Sequence, residues 1–328
     1  MTELRPTTDG IVTIRSPRVD DAATLIAGRD DEFHRFLAFG DTDPQPVGVI
    51  EVDDTVIGWV DSETHQSWLL PGEVNIGYNV FAAHRGSGNA TRAVQLLIHH
   101  LAVTGDADTA TLLIDADNAR SLALANRIGC IRQPDFDLNP YFKRPIPPLS
   151  YTDGVITIRP RAERDLGADI ESQDDEQIDW LWQPGERETW ESLTPELQRA
   201  HVLQSLQTTI AAFGAGPKWT FTVDTADDEA VAIIDCNLAN EDVPRGQANI
   251  AYATHPIHRG RGHVTRSVRL IEQFLRDHTG CREAYLVIDQ RNTNSLRVAH
   301  SLGALPDKRW TDNLGHTFIR HVIPIDRS

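Results

Sequence analysis

Apolar and polar residues alternate through Gly10–Ser16 (GIVTIRS) and again through Gly154–Pro160 (GVITIRP), which predicts a strand early in each half of the chain. DDAATLIAGRDDEF, beginning at Asp20, reads as a first helix. Runs of β-branched and aromatic residues predict strands at Thr55–Asp61, Glu73–Val80, Ala230–Leu238 and Gln247–Thr254. Val94, Leu97, Ile98 and Leu101 then recur at i, i+3, i+4 and i+7, and Val268, Ile271 and Leu275 follow the same period, so both stretches predict amphipathic helices. TATLLID (Thr109–Asp115) and EAYLVID (Glu283–Asp289) read as short buried strands, with further helices starting near Asn118 and Asn292. Each half reads strand, helix, strands, helix, strand, helix, strands. That order predicts an α/β or layered α+β fold.

The two halves are copies of each other. DGIVTIR at Asp9–Arg15 returns as DGVITIR at Asp153–Arg159, an offset of 144 residues. HRGSG at His84–Gly88 returns as HRGRG at His258–Gly262, an offset of 174, and DNARSLALANRIG at Asp117–Gly129 aligns with RNTNSLRVAHSLG at Arg291–Gly303 at the same 174. Both copies end in a strand-like tail, YFKRPIP and TFIRHVIP. The segments keep their order, so the chain is a duplicated domain. The second copy carries 30 extra residues, most of them within WLWQPGERETWESLTPELQRAHVLQSLQTTIAAF. KRPIPPLSYTDG, with three prolines, marks the boundary and divides the chain into domains 1–148 and 149–328.

Composition narrows the function. A length of 328 residues suits two domains, and no apolar run approaches the ~18 residues of a membrane-spanning helix. The first residues lack the basic and apolar regions of a secretory signal. Cys130, Cys236 and Cys281 form neither a disulfide framework nor a metal spacing, which suits a reduced cytoplasm. The formal charge of −17 opposes nucleic-acid binding. It would attract a cationic acceptor such as an amine, or serve solubility alone. None of the 13 His belongs to a metal-ligand pattern. His99 and His100 are expected on the surface of their helix, and His84 and His258 adjoin the loop arginines.

Each half places two glycines, one residue apart, directly before a helix. A helix N-terminus exposes unpaired N–H groups and partial positive charge, and glycine lets an anion approach the backbone. Gly86 and Gly88 stand there with Arg85 in the first half; Gly260 and Gly262 stand there with Arg259 and Arg261 in the second. The joint suits a di- or polyphosphate, or is simply a tight strand-to-helix turn. No Gly-Lys-Ser/Thr is present for a Walker loop, and Thr91 and Thr265 replace the third glycine of a dinucleotide fingerprint. What remains is Arg/Gln-x-x-Gly-x-Gly/Ala. RGSGNA (Arg85, Gly86, Ser87, Gly88, Asn89, Ala90) fits it fully, and RGRGHV (Arg259, Gly260, Arg261, Gly262, His263, Val264) fits except at Val264.

With GEVNIGYNVFAAHRGSGNATRAV and DADNARSLALANRIGC in one half, and ANIAYATHPIHRGRGHVTRSV and RNTNSLRVAHSLGA in the other, the chain resembles two tandem members of the GNAT acyltransferase superfamily, of the RimJ/RimL type. The resemblance implies two domains, each a mixed, mostly antiparallel sheet flanked by helices. It implies an acetyl-CoA-dependent N-acetyltransferase whose loops hold the cofactor pyrophosphate. The pantetheine arm would pair with backbone near Val80 and Phe81, or near Thr254 and His255. Asn118 with Ser121, and Asn292 with Ser295, match a second cofactor-side motif; capping of the following helix is the alternative use of each Asn. The acceptor would be a small amine, an aminoglycoside-like compound or a protein N-terminus, and the protein a cytoplasmic monomer or homodimer.

Transfer to an amine needs a base and a donor toward the oxyanion. Glu73 opens the strand before the loop, where many GNAT members carry a base, but its counterpart is Gln247. Asp235, Glu241 and Asp242 are the acids nearby in the second half. Asn75 and Tyr78, aligned with Asn249 and Tyr252, either face the acceptor or fill the strand. Many family members keep a Tyr seven residues after the motif Asn; Ala125 and Ala299 stand there, which leaves Ser121 and Ser295 as acid candidates. Trp180, Trp182 and Trp190 in the insertion would line an acceptor pocket or dock a helix. The insertion points to catalysis in the second half. The alternative is a non-catalytic acyl-CoA sensor or scaffold with degenerate sites, and a nucleotide-binding module is a third reading.

Overall fold

The computed structural model describes residues 2–37, 45–181, 185–239 and 243–325. The chain separates into two compact units: Met1–Pro148 with Asp277–Gly280, and Leu149–Arg276 with Cys281–Ser328. The first contains β1 (Thr7–Thr8), β2 (Thr13–Arg15), α1 (Asp21–Ala27), α2 (Asp31–Phe36), β3 (Gly48–Val52), β4 (Thr55–Glu63), β5 (Glu73–Val80), α3 (Asn89–Thr104), β6 (Thr109–Leu113), α4 (Ala119–Arg127), β7 (Ile131–Phe136) and β8 (Asn139–Pro145). The second contains β9 (Tyr151–Thr152), β10 (Ile156–Pro160), α5 (Leu166–Glu171), α6 (Asp175–Leu181), α7 (Glu186–Glu191), α8 (Pro195–Ala212), β11 (Lys218–Thr225), β12 (Ala232–Asn237), β13 (Gln247–Thr254), α9 (His263–His278), β14 (Glu283–Asp289), α10 (Thr293–Leu302), β15 (Leu305–Thr311) and β16 (Thr317–Pro324).

Each unit is built on an eight-stranded sheet, and the two sheets have the same order: β1-β2-β3-β4-β5-β6-β8-β7, and β9-β10-β11-β12-β13-β14-β16-β15. All neighbouring strands run antiparallel except β5–β6 and β13–β14, the pairs bridged by the helices α3 and α9. The parallel pairing is short. On β5 and β6 it covers Glu73↔Thr109, Val74↔Ala110 and Asn75↔Thr111, and then stops although both strands continue. On β13 and β14 it stops at Asn249↔Tyr285. The strands splay apart beyond those residues and open a gap in the middle of each sheet.

One predicted helix proves to be two. A methyl group on Gly28 would lie 2.2 Å from the Phe81 ring, so close packing holds the chain at a glycine there. Asp30 then caps α2 by accepting from the Phe33 N–H at 2.9 Å. α3 also departs from its predicted amphipathicity, because every residue from Thr91 to Leu101 is buried. His99 and His100, expected on the surface, are 0% and 5% exposed. The N-terminal segment covers part of this helix: Leu4 joins its core, and Asp9 pairs with Arg92 at 2.5 Å.

The insertion contributes α7 and α8. Thr194 and Pro195 give α8 a favourable start, the Thr194 hydroxyl accepting from Leu197 N–H. Trp190 packs edge-on against His201 of α8, so this aromatic docks a helix. Trp180 lies beneath the Arg291 guanidinium. Trp182, Glu241 and Asp242 lie outside the described residues.

Three ion-pair sites are duplicated with the fold. Arg15 binds Asp21 and Glu51, and Arg159 binds Asp165 and Asp224. Arg92 with Asp9 is matched by Arg266 with Asp153 at 2.6 Å. Arg85 with Asp30 and Glu32 is matched by Arg259 with Asp174 and Glu176. Each unit therefore repeats the same charged fastenings between its N-terminal strands, its first helices and its central joint.

Candidate active site

The joint between β5 and α3 is shaped by its glycines. Gly86 and Gly88 adopt φ of 84° and 82°, and Gly260 and Gly262 adopt 75° and 78°. Other residues are strained in that left-handed region. A Cβ added to Gly86, Gly260 or Gly262 would meet nothing within 4 Å, so backbone conformation, not packing, demands glycine there. No side chain caps α3 at Gly88. The first turn of α3 lines the cavity described below, and an uncapped helix start there is what an anion site requires. Ser87 is exposed, Asn89 bonds back to the His84 carbonyl at 3.3 Å, and Ala90 packs on the core. Val264, the departure from the motif, is 9% exposed and points into the second core, which leaves its loop amide unaffected.

The loop arginines are committed elsewhere. Arg85 donates to both oxygens of Asp30 at 2.6 and 2.9 Å, to Glu32 at 2.8 Å and to the Val80 carbonyl at 2.7 Å. Arg259 donates to both oxygens of Asp174 at 2.7 Å and to Glu176 at 2.8 Å. These guanidinium groups hold Asp30 and Asp174 below the usual carboxylate range. Arg85 and Arg259, which the motif places at the loop, are each paired with two carboxylates. Arg261 is exposed and donates to the Ile257 carbonyl.

Backbone groups near the strand ends are also occupied. The Val80 carbonyl accepts from Arg85, and the Phe81 N–H donates to Ile57 at 2.8 Å. His255 N–H donates to Val231 at 3.0 Å, and Thr254 pairs with Ala232. The open main chain lies further back, from Ile76 to Asn79, along the gap beside β6.

In the first unit this gap is part of a cavity of about 580 Å³, within the size range of small-molecule and cofactor sites. The cavity runs from Gly86, Gly88 and Ala90 past Tyr78 and Leu112 to Asn118 and Ser121 of α4. It continues to Trp59, Asp61 and Glu63, which share one face of β4, and to Phe33 and Phe36 of α2. Asn118 caps α4 by accepting from Ser121 N–H at 3.1 Å, and Asn292 caps α10 through Ser295 N–H at 3.0 Å. Capping is thus the use both Asn side chains have; Asn118 also lines the cavity.

Several polar atoms in and beside the gap are buried without partners. They are Asn75 Oδ1, Tyr78 Oη and Asn79 Nδ2 in the first unit, and Asn249 Oδ1 and Tyr252 Oη in the second. Burial pushes the Tyr78 phenol up to about 12 and raises Tyr252 as well; Ser121 and Ser295, facing them, only temper this. His255 Nδ1 and both His263 nitrogens are buried and unpartnered too. Buried polar atoms without partners are costly and are commonly satisfied by a ligand or water.

Neither carboxylate singled out by sequence is free. Glu73 accepts from the Lys143 ammonium, the Tyr141 hydroxyl and Leu70 N–H. Burial alone would raise its pKa, but these donors hold it below the usual carboxylate range. Glu73, the base expected there, is not among the residues lining the cavity and is ion-paired with Lys143. Asp235 is raised by burial and tempered by Lys218, whose Nζ lies at 3.3 Å. Among the carboxylates that line the first cavity is Asp61, which the sequence reading missed. Val47 and Ser62 N–H groups donate to its Oδ1 at 3.2 and 2.9 Å, and burial raises its pKa. Asp61 lies opposite Gly77 in the sheet, exactly as Asp235 lies opposite Ala251. The 174-residue offset, applied backward from Asp235, would have found it.

A family model described as an acetyltransferase (GNAT) domain matches residues 12–131 and again 156–305. The chain belongs to this GNAT acetyltransferase family. As a GNAT acetyltransferase it uses acetyl-CoA. No curated protein matches it by sequence. Among solved structures it is similar to a RimL ribosomal L7/L12 α-N-protein acetyltransferase in complex with coenzyme A, at 13% identity and TM-score 0.43 over 54% of this chain and 98% of that one. It is also similar to a ribosomal-protein-S5-alanine acetyltransferase from Vibrio fischeri, at 14% and 0.44 over 54% and 97%. A third is Mycobacterium smegmatis RimJ in complex with CoA-disulfide, at 16% and 0.41 over 52% and 82%. Among the described residues of this GNAT protein, no helix is long and apolar enough to cross a membrane.

Proposed function

We propose that the protein is an acetyl-CoA-dependent N-acetyltransferase that acts on a primary amine, and that its first unit is the catalytic one. The observation that carries this reading is the continuity of a single cavity from the helix-start amides at Gly86–Ala90, through the β5/β6 gap, to Asp61. When bound, acetyl-CoA supplies an activated acetyl group on a thioester. The amides at the start of α3 hold its phosphates without help from Arg85. The open main chain at Ile76–Asn79 and the unpartnered Asn75, Tyr78 and Asn79 atoms take its amide-bearing arm. An alkyl ammonium with pKa near 10.4 costs roughly 4–5 kcal/mol to neutralise at pH 7. Asp61, with one oxygen held by backbone and its pKa raised, takes that proton directly or through water. With acetyl-CoA bound, Ser121, which lines the same cavity, would supply a proton to the thiolate released as the amine takes the acetyl group.

A different observation favours a supporting role for the second unit. Its counterparts of Trp59, Asp61 and Glu63 are Ile233, Asp235 and Asn237, and its counterparts of Gly77 and Asn79 are Ala251 and Ala253. Asp235 is balanced by Lys218. We assign the second unit acyl-CoA binding or scaffolding without turnover, in place of the catalysis that the insertion suggested. Thiol release from acetyl-CoA, measured with a panel of amines, tests the whole reading; a folded protein that binds CoA yet releases no thiol with any amine would refute it. Loss of turnover on changing Asp61, and its survival on changing Asp235, tests the choice of unit.

A further inference from the structure

Gly77 lies on β5 between Asn75 and Asn79, which share its strand face. Across the sheet it pairs with Asp61, and Asn79 pairs with Trp59. Gly77, Asp61 and Trp59 all line the first cavity. A Cβ built on Gly77 would lie 3.4 Å from the Asp61 Cβ and 3.6 Å from the edge of the Trp59 ring. The missing side chain therefore leaves a shallow hollow. Its floor is bare backbone, and its two side walls stand at the contact distance of a methyl group. Both walls are fixed. Trp59 is 8% exposed and packs with Leu25, Phe33 and Val49. A Cβ on Gly58 would fall 2.1 Å from the Asn79 carbonyl oxygen, so β4 lies hard against β5 beside the ring. Two backbone N–H groups hold the Asp61 carboxylate. In the second unit the same place is filled: Ala251 brings its own methyl, and Ile233 stands in place of Trp59.

We propose that this hollow seats the acyl group of the donor, and that Gly77 and Trp59 together limit that group to two carbons. The assignment rests on the functional reading above, in which Asn75 and Asn79 receive the cofactor arm and Asp61 faces the amine. The acyl carbon between them then lies over Gly77. An acetyl group places one methyl between the ring and the carboxylate stem. Each further methylene adds about 1.5 Å toward walls that do not yield. A fitted apolar pocket discriminates about tenfold or more per methylene. Gly77 and Trp59 are specificity-determining residues in this arrangement, and neither takes part in proton transfer.

The test is calorimetry on the full chain with coenzyme A, acetyl-CoA and butyryl-CoA, without any amine. The wild type should bind butyryl-CoA about tenfold or more weaker than acetyl-CoA. Gly77→Ala puts a methyl into the hollow and should weaken acetyl-CoA about tenfold more than it weakens coenzyme A, which has no acyl group to displace. Trp59→Ile copies the second unit, keeps an apolar side chain in the core, and should bring butyryl-CoA to within about twofold of acetyl-CoA. The second unit is unaltered in both variants and contributes equally to every isotherm. Gly77→Ala adds no collision, so it decides the question even where Trp59→Ile fails to fold. Equal wild-type affinities for the two thioesters, equal weakening of coenzyme A and acetyl-CoA in Gly77→Ala, or a preference that survives in folded Trp59→Ile overturns the proposal. Coenzyme A binding without chain-length preference defeats this proposal alone, whereas no binding of coenzyme A defeats the functional reading beneath it.

Discussion

Arg85 and Asp30, 55 positions apart in the chain, meet through two hydrogen bonds of 2.6 and 2.9 Å, and Arg259 and Asp174 repeat that grip in the second unit. A motif arginine beside a phosphate loop therefore ties the loop to the helix facing it. Arg85→Gln should leave Asp30 and Glu32 without their cation and cost about 1–3 kcal/mol, between the exposed and buried limits for such pairs. Because the Asp30 pKa is depressed in the folded protein, this stabilisation is fully present above the ordinary carboxylate pKa and is lost as pH falls through the folded value. Denaturation of the wild type and the variant at neutral pH and near pH ~3 should show the difference shrinking in acid. CoA affinity that collapses while stability holds would instead place Arg85 on the phosphate.

Asp61→Asn should lower kcat by about 10²- to 10⁴-fold while CoA binding is retained. Since burial raises the Asp61 pKa, the acidic limb of the wild-type rate profile should lie above the ordinary carboxylate range and vanish in the variant. Asp235→Asn should preserve turnover. Steady-state rates across pH check both statements.

Gly77→Ala copies the residue found at the same place in the second unit. The added Cβ would sit 3.4 Å from the Asp61 Cβ and 3.6 Å from the Trp59 ring, which is contact without collision. Folding should be unaffected, and kcat/KM for the acceptor should fall by roughly tenfold as the methyl fills the space beside the base, a loss of about 1.4 kcal/mol. Melting curves and amine saturation kinetics separate the two effects.

Gly86→Ala forces a left-handed φ on a side chain, at about 1–2 kcal/mol. The new methyl meets no protein atom, so any larger loss must come from the ligand. KM for acetyl-CoA should rise more in Gly86→Ala than in Gly260→Ala.

Glu73→Gln should behave as a structural change. It leaves Lys143 without its carboxylate in a half-buried setting and should lower the melting temperature, with kcat little altered. A loss of kcat comparable to that of Asp61→Asn would restore Glu73 as the base.

Most of the architecture was legible because duplication repeats it: β5, β13 and β14 begin and end where their β-branched, aromatic and apolar runs predict, and α4 and α10 begin at their Asn caps. The first helix was misread because its interruption at Gly28 depends on Phe81, more than fifty residues away. The site was less legible for a similar reason. Arg85 has the motif position of a phosphate ligand, and only the approach of α2 reveals that its charge is spent. Glu73 opens the expected strand, but Lys143 on β8 decides its state. Asp61 and Asn79 carry no motif, and they gain meaning only when β4 and β5 set them on one wall of the cavity.

The early end of the β5/β6 ladder carries a consequence for the protein without its donor. Past Asn75 and Thr111, each strand keeps a main-chain edge that no neighbouring strand completes. A thioester arm lying there would act as a borrowed strand, so loading and rigidity should rise together. The amide hydrogens of Ile76 and Tyr78, which face the gap and not β4, should exchange quickly with solvent deuterium in the empty protein and slow sharply once coenzyme A is added.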